Sequence, residues 1–130
     1  MSTAVRYCSS SGNTKAVAEA IAKAAGVPAV SVDAAEAAVS APTDVLFIGG
    51  ALYAYGLDGR LKDYLKTLKK ENVKKAVVFS TSWISKHAID LIKKELSAAG
   101  IPVETESFYV KSQPDAAQLQ AAQRFAEQFI

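Results

Sequence analysis

A chain of 130 residues, half of them apolar and with a formal net charge of +2, is long enough for one domain with a sizeable core. The longest uncharged apolar run, residues 45–57, is too short to cross a bilayer at roughly 20 residues, which excludes a membrane-spanning helix. The N-terminal sequence has no signal-peptide pattern. The chain has a single cysteine, which cannot form an internal disulfide. We therefore expect one cytoplasmic domain over 1–130.

Basic residues are dense between positions 58 and 75, a stretch that contains seven lysines and arginines but only three aspartates and glutamates. We interpret this stretch as a solvated helix face and the loop after it. Nucleic-acid binding would require a broader basic surface with stacking aromatic residues, so no nucleic-acid partner is expected. A docking patch for an acidic redox partner is the alternative.

The chain alternates between predicted strands and predicted helices. The alternation begins with a β-rich run at 3–8 and a helix at 13–25, in which Val17 and Ile21 lie four positions apart and after which Gly26 ends the helix. Apolar runs and helical spacing then predict the order of the remaining elements. These are a strand at 29–32, a brief helix or loop at 33–42, a strand at 44–50, a loop at 51–59, a helix at about 58–70, a strand at 75–82, a helix at 86–100, an edge strand at 101–110 and a helix at 113–130.

Five strands separated by helices predict an α/β fold with a five-stranded parallel sheet and helices on both faces. In open sheets of this kind, ligands bind at the carboxyl ends of the strands, where the strand order reverses. Three loops leave such ends with unusual chemistry, at 9–14, 51–59 and 80–85. We expect a ligand site where these loops meet.

The loop SSSGNT at 9–14 has the components of an anion cradle. Its hydroxyl groups can donate hydrogen bonds, and Gly12 allows a ligand to approach the backbone closely. The helix that follows directs its free N–H groups and positive dipole end at the loop, so a phosphate fits without an arginine. The alternative is a helix cap of Ser, Asn and Thr with no ligand.

Several classes of phosphate-binding protein are excluded because their motifs are absent. The pattern GxxxxGK[ST] is absent, which excludes a P-loop NTPase, and the dinucleotide pattern GxGxxG is absent as well. The central strand ends in FIGG at 47–50, without the aspartate that a receiver domain would phosphorylate.

Cys8 stands directly before this loop and raises the question of a nucleophile. Low-molecular-weight tyrosine phosphatases and related arsenate reductases carry C-x5-R here, but Thr14 occupies the place of the arginine. Cysteine-phosphorylated carriers of sugar phosphotransferase systems usually place their glycine one residue sooner than Gly12. We interpret Cys8 as a packed side chain and keep a flavin-free phosphocarrier as the least favoured alternative.

Three segments together resemble the flavodoxin family. YCSSSGNTKAVAEAIA resembles its phosphate loop, DVLFIGGALYAYGLDGRLKDYLKTL its segment of strand, aromatic-bearing loop and helix, and KKAVVFSTSWISKHAIDLIKKELSAAGIPV its fourth strand, loop, helix and following turn. The resemblance covers nearly the whole chain, and the absence of a long insertion in the last strand is similar to short-chain members. It implies a flavodoxin-like three-layer sandwich with sheet order 2-1-3-4-5 and FMN at the switch between strands 1 and 3.

The resemblance also implies which residues contact FMN. The loop at 9–14 would hold the phosphate, and residues 51–56 and 81–84 would hold the isoalloxazine ring. Tyr53, Tyr55 and Trp83 are the aromatic side chains available to stack on the ring. No catalytic residue and no metal ligand is implied. The implied cofactor-binding residues are Ser9, Ser10, Ser11, Gly12, Asn13, Thr14, Ala51, Leu52, Tyr53, Ala54, Tyr55, Gly56, Thr81, Ser82, Trp83 and Ile84.

The function that the resemblance implies is electron transfer between redox protein partners by a monomer or homodimer. The alternative is a flavin-dependent oxidoreductase on the same scaffold, such as a quinone reductase or a protoporphyrinogen-oxidase-like protein. His87, the only histidine, is expected to be exposed at a helix start, so the sequence offers no obvious general base.

Three features depart from the family pattern. The chain is slightly basic, whereas many flavodoxins are strongly acidic, and Tyr55 occupies a position where many relatives carry glycine. Arg6 lies in a strand expected to be central, where a buried charge needs a partner. We expect that partner to be one of three carboxylates, Asp33, Asp44 or Glu104.

Overall fold

The computed structural model describes residues 2–53, 56–82 and 86–130, with the backbone alone at Tyr53. Within these residues, strands and helices alternate much as predicted. The strands are β1 (Thr3–Tyr7), β2 (Ala29–Ser31), β3 (Val45–Gly50), β4 (Leu52–Tyr53), β5 (Gly56–Leu57), β6 (Ala76–Thr81) and β7 (Val103–Val110). The helices are α1 (Asn13–Ala25), α2 (Gly59–Thr67), α3 (His87–Ala98) and α4 (Ala116–Glu127), with a short 3-10 helix at Ala35–Ala37.

The main sheet contains five parallel strands in the order β2-β1-β3-β6-β7. Counted among the five strands of this sheet alone, this is the predicted order 2-1-3-4-5, which is confirmed. The short strands β4 and β5 pair with each other in antiparallel fashion, inside the segment predicted as a loop. The strand order reverses between β1 and β3, so the loops after these two strands leave toward opposite faces and open a crevice.

Helices cover both faces of the sheet, so the three-layer architecture is confirmed. Every residue of β3 and β6 is buried, as expected for central parallel strands. Alternate residues of β3 point to opposite faces of the sheet and contribute to the two cores there. Phe47 packs with α1 and α4 on one face, and Leu46 and Ile48 pack with α2 and α3 on the other. Strand β7 lies at the edge and is only partly buried, which confirms the predicted edge strand.

Local signals explain where the helices begin and end. Helix α1 ends at Gly26, which has the left-handed conformation (φ 70°) typical of a C-cap. Helix α4 begins after Asp115, whose side chain forms a capping box with Gln118. Helix α2 is shorter than predicted because Leu68 adopts an extended conformation, yet Leu68 stays buried and continues the apolar pattern beyond the helix.

The expectation that a carboxylate pairs with Arg6 is wrong. Its guanidinium donates hydrogen bonds to the backbone carbonyl oxygens of Ala37 at 2.9 Å and Val5 at 3.0 Å. Ala37 ends the 3-10 helix, where carbonyl groups lack intrahelical partners and attract cations. The three candidate carboxylates pair elsewhere, Asp33 with Arg60, Asp44 with Lys74 and Glu104 with Lys75.

The two glycines that end β3 differ in what surrounds them. A Cβ atom at Gly49 would lie 2.6 Å from the Phe79 carbonyl oxygen and 2.3 Å from its ring, whereas one at Gly50 would clash with a Leu61 methyl group at 2.4 Å. We expect Gly49→Ala to lower the free energy of unfolding by about 3 kcal/mol and Gly50→Ala by about 1 kcal/mol, because a methyl group can move and backbone cannot. Urea unfolding of the two variants measures this, and equal losses would contradict it.

Candidate functional site

Two adjoining cavities open at the carboxyl edge of the sheet, where the loops after β1, β3 and β6 meet. The first has a volume of about 200 Å³ and the second about 330 Å³. They share Ser11, Ala51 and Leu52 in their linings, so one continues into the other. The first is also lined by Cys8, Ser10, Thr14 and Asp58, and the second by Asn13, Thr81, Ser82 and Ser112.

The loop at 9–14 presents hydroxyl groups and backbone N–H groups at the first cavity. Ser9 Oγ accepts a hydrogen bond from the Gly12 N–H at 3.0 Å, and Ser11 Oγ accepts one from the Asn13 N–H at 3.4 Å. Gly12 has a φ of 91°, a left-handed conformation that favours glycine. Each serine therefore keeps its own hydrogen to donate. A phosphate oxygen is a stronger acceptor for these N–H groups than a serine hydroxyl is.

Helix α1 adds further donors to this loop. Its first intrahelical hydrogen bond runs from the Ala16 N–H to the Gly12 carbonyl oxygen. The N–H groups at the helix start before Ala16 have no intrahelical acceptor, and the positive end of the helix dipole points the same way. The N-cap of α1 is Gly12, which has no side-chain cap hydrogen bond, so the hydroxyl groups of Ser9 and Ser11 bond to N–H groups of the loop beside the cavity.

Thr14 and Thr81 join two of the loops through their side chains. Their hydroxyl oxygens lie 2.6 Å apart, and both residues are buried, with exposed fractions of 2% and 4%. Thr14 belongs to the first turn of α1, and Thr81 is the last residue of β6. This contact fixes the position of the 9–14 loop relative to the segment that follows β6.

Two more side-chain hydrogen bonds hold the strand ends together. Ser80 Oγ donates to the Gly50 carbonyl oxygen at 2.6 Å, which links β6 to β3. The Tyr109 hydroxyl donates to the Ser82 carbonyl oxygen, which links β7 to the segment after β6. These contacts make the edge of the sheet a fixed frame for the cavities.

A charged cluster that sequence reasoning missed lies at the mouth of the first cavity. The Arg60 guanidinium pairs with Asp58 at 2.9 Å and Asp33 at 2.8 Å, and its Nη2 also donates to Ser10 Oγ at 3.4 Å. Hydrogen bonds from the Arg60 side chain and backbone lower the pKa of the Asp58 carboxyl. An aspartate just before the helical spacing at 58–70 could have identified Asp58 as an N-cap, but no spacing in the sequence connects Arg60 to Ser10, 50 positions away.

Cys8 is buried in the core between the sheet and helices α2 and α3, as its interpretation as a packed residue requires. Cys8 also lines the first cavity. Burial raises the pKa of the thiol, and the negative charge of Asp58 raises it further. A neutral thiol is a poor nucleophile.

The remaining predicted site residues divide between described and undescribed segments. Gly56 lies in β5 and lines a different cavity, between α2 and α3. Ala54, Tyr55, Trp83 and Ile84 lie outside the described residues, as does the side chain of Tyr53. All the other predicted residues either line the two cavities or belong to the 9–14 loop.

The described residues form neither a metal site nor a membrane-spanning helix. Within 2–53, 56–82 and 86–130, no group of three or more His, Cys, Asp and Glu side chains could hold a metal ion. The helices described there include none that combines the length and the apolar character needed to cross a membrane.

The fold and the site define an open parallel α/β protein with a hydroxyl-rich loop at the switch between β1 and β3. The chain belongs to the flavodoxin domain family, whose model matches residues 4–126. Membership of this family supports a flavin-binding electron-transfer role. Among curated proteins, no sequence matches the chain significantly.

Solved structures with this fold include complete flavodoxins and a larger enzyme. Oxidised flavodoxin 1 from Bacillus cereus is 20% identical, with a TM-score of 0.80 over 99% of this chain and 97% of that one. Two-electron reduced flavodoxin from Megasphaera elsdenii is 25% identical, with a TM-score of 0.69 over 97% of this chain and 98% of that one. Rubredoxin:oxygen oxidoreductase from the anaerobe Desulfovibrio gigas is 15% identical, with a TM-score of 0.84 over 98% of this chain but only 35% of that longer one.

The contact between Thr14 and Thr81 can be tested by replacing hydroxyl groups with methyl groups. Either Thr14→Val or Thr81→Val leaves the other buried hydroxyl without its partner, so we expect each to lower the free energy of unfolding by about 1–3 kcal/mol. The double variant should lose less than the sum of the two. Urea unfolding measures all three, with Thr67→Val on the exposed face of α2 as a control of the same chemistry. Additive losses would contradict a direct contact.

The state of Cys8 can be tested by alkylation. Because burial raises the pKa of its thiol, we expect native protein to react with iodoacetamide at least about tenfold more slowly than urea-unfolded protein at pH 8. The rate on native protein should rise only at a pH above the usual thiol range. Cys8→Ser should leave flavin binding and redox activity largely intact, and loss of all activity in a variant that folds normally would revive the nucleophile hypothesis.

Proposed function

We propose that this protein binds FMN and carries electrons between redox protein partners. The observation that supports this most strongly is the 9–14 loop at the start of α1, which opens into two continuous cavities at the strand-order reversal. FMN, when bound, would supply the redox chemistry, and the residues of this chain would bind and orient it.

The phosphate end of the site would be the first cavity. Ser9, Ser10 and Ser11 each carry a hydroxyl hydrogen that can be donated, and the start of α1 contributes backbone N–H groups. Neutral donors together with a helix N-terminus are suited to a phosphate, which they bind without full positive charge. Thr14 also lines this cavity, and its hydroxyl is already bonded to that of Thr81.

The ring end would be the second cavity. Ala51 and Leu52 provide apolar parts of its lining, and Thr81, Ser82 and Ser112 provide polar groups. An aromatic ring system with polar edges fits such a division of the surface. Tyr53, Tyr55 and Trp83 remain the candidates for stacking on sequence grounds.

The titratable groups that line the two cavities favour a carrier over an enzyme that moves protons. Among the described lining residues, these groups are Cys8, whose pKa is raised, and Asp58, whose pKa is lowered and whose carboxylate is paired with Arg60. Neither is poised near neutral pH to act as a general acid or base. His87 lies on the exposed start of α3. An electron carrier requires no such group.

Other parts of the proposal rest on the sequence and the family together. The partners would be redox proteins, and the oligomeric state, monomer or homodimer, stays a prediction, as do the expected cytoplasmic location and the absence of a nucleic-acid partner.

The proposal is tested by titrating the purified protein with FMN and with riboflavin and following flavin fluorescence. Loss of a hydrogen bond to a charged phosphate is worth roughly tenfold or more in affinity, so we expect Ser11→Ala to weaken FMN by about that factor and riboflavin by less than about twofold. Ser97→Ala, on the exposed face of α3, is the matched control. Equal weakening of both flavins by Ser11→Ala would show that the loop does not hold the phosphate.

A further inference from the structure

We propose that Arg60 sets the preference of this site for a phosphorylated flavin over an unphosphorylated one, by neutralising the Asp58 carboxylate beside the 9–14 loop and holding Ser10 in place. This inference rests on the proposed function and adds a positioning residue that the family resemblance did not supply.

The Arg60 side chain connects three segments of the chain, two of which, at Ser10 and at Asp58, line the first cavity. Its Nε and Nη2 donate to the two carboxylate oxygens of Asp58 at 3.0 and 2.9 Å, and its Nη1 donates to Asp33 Oδ2 at 2.8 Å. Its Nη2 also reaches Ser10 Oγ at 3.4 Å. Asp33 follows β2, Ser10 follows β1 and Asp58 precedes α2. One guanidinium thereby ties together the loops around the strand-order reversal.

The geometry of this contact distinguishes it from an ordinary surface ion pair. The side chain of Arg60 is 45% exposed, and isolated pairs with that exposure contribute little to stability. Here, however, the guanidinium binds one carboxylate with two parallel hydrogen bonds and a second carboxylate at the same time. Bidentate pairs within a network are the exception, because their geometry is fixed.

The charge of the cluster explains why the contact matters for a phosphate. Asp58 is the only charged residue among the described ones that line the first cavity, and it is negative. With Asp33 and Arg60 the cluster carries a formal charge of −1, and without Arg60 it would carry −2. A second uncompensated negative charge would repel a phosphomonoester but would leave neutral riboflavin unaffected.

Asp58 has a structural reason to be at this position. It is the N-cap of α2, and its Oδ1 accepts a hydrogen bond from the Arg60 backbone N–H at 2.9 Å. The cap places a carboxylate beside the cavity, and the second residue of the same helix supplies the cation that neutralises it. Asparagine caps helices about as well as aspartate does, so Asp58→Asn removes the charge and keeps the cap.

The experiment compares the affinities for FMN and riboflavin of the wild type, Arg60→Gln, Asp58→Asn and the double variant. We expect Arg60→Gln to weaken FMN on the order of tenfold, and riboflavin by less than about twofold. Adding Asp58→Asn should restore most of the FMN affinity, because it removes the charge that Arg60 had neutralised. Raising the salt concentration should narrow the gap between Arg60→Gln and the wild type, since salt screens the repulsion.

Two further variants keep the test decisive. Lys62→Gln removes the same charge from the same helix at a residue that lines a different cavity, and it should change neither affinity. Arg60→Lys keeps the charge but loses the bidentate contact, and it should retain FMN binding within about threefold. If Arg60→Gln does not fold, Asp58→Asn alone carries the test, because removal of this negative charge should raise the affinity for FMN and leave that for riboflavin unchanged.

The outcomes separate this inference from the proposed function. If Arg60→Gln weakens both flavins equally, or weakens FMN no more than Lys62→Gln does, the inference is wrong while FMN binding by the wild type stands. If Asp58→Asn fails to restore FMN affinity in the double variant, neutralisation of Asp58 is not the cause. If the wild type binds neither flavin, the proposed function is wrong and this inference falls with it.

Discussion

Strand β1 pairs with β2 on one side and with β3 on the other, and this reversal of strand order is the constraint on which the site depends. Because the chain leaves β1 and β3 toward opposite faces of the sheet, their loops separate and leave a crevice between them. The two cavities occupy that crevice. In a parallel sheet without a reversal of strand order, all the connections would leave toward the same face, and no crevice would form at this edge.

Polar contacts then give the crevice a fixed shape. Thr14 bonds to Thr81 across it, Ser80 bonds to Gly50 beneath it, and Arg60 closes one side by binding Asp58 and Asp33. Gly50 ends β3, and Ser80 and Thr81 end β6, and every residue of these two strands is buried. The ends of these strands therefore cannot shift without disturbing the cores on both faces of the sheet. The site is therefore formed by a rigid sheet edge and a small number of side-chain hydrogen bonds, and we expect it to need little rearrangement on binding.

The elements that could be predicted from the sequence are those with strong local patterns. The continuous apolar runs of β3 and β6 and the helical spacing of Val17 and Ile21 identified buried strands and α1 correctly. The helix predicted at about 58–70 extends beyond the observed α2 because Leu68 keeps the apolar spacing while its backbone is no longer helical. The pair β4–β5 escaped prediction because strands of two residues carry no periodicity.

The site shows the same division between local and distant signals. The hydroxyl-rich loop before a helix was visible as a contiguous motif. The partners that complete it were not, since Thr14 and Thr81 lie 67 positions apart and Arg60 lies 50 positions from Ser10. The prediction of a carboxylate partner for Arg6 was wrong for a related reason. The sequence shows which carboxylates are available, but it does not show which backbone carbonyl groups lack a hydrogen-bond partner at the end of a 3-10 helix.

The basic stretch that contains α2 gives the molecule an electrical asymmetry. Residues 58–75 carry a formal charge of +4, whereas the whole chain carries +2, so the remaining residues together carry −2. A molecule with separated regions of opposite charge has a dipole moment and turns in the field of a charged neighbour before the two make contact. Helix α2 begins beside the cavities, but Lys69, Lys70, Lys74 and Lys75 follow it and precede β6, at the opposite edge of the sheet. Such turning would therefore direct that edge, and not the cavities, toward an approaching anion. The rate of such encounters would fall as added salt shortens the reach of the field.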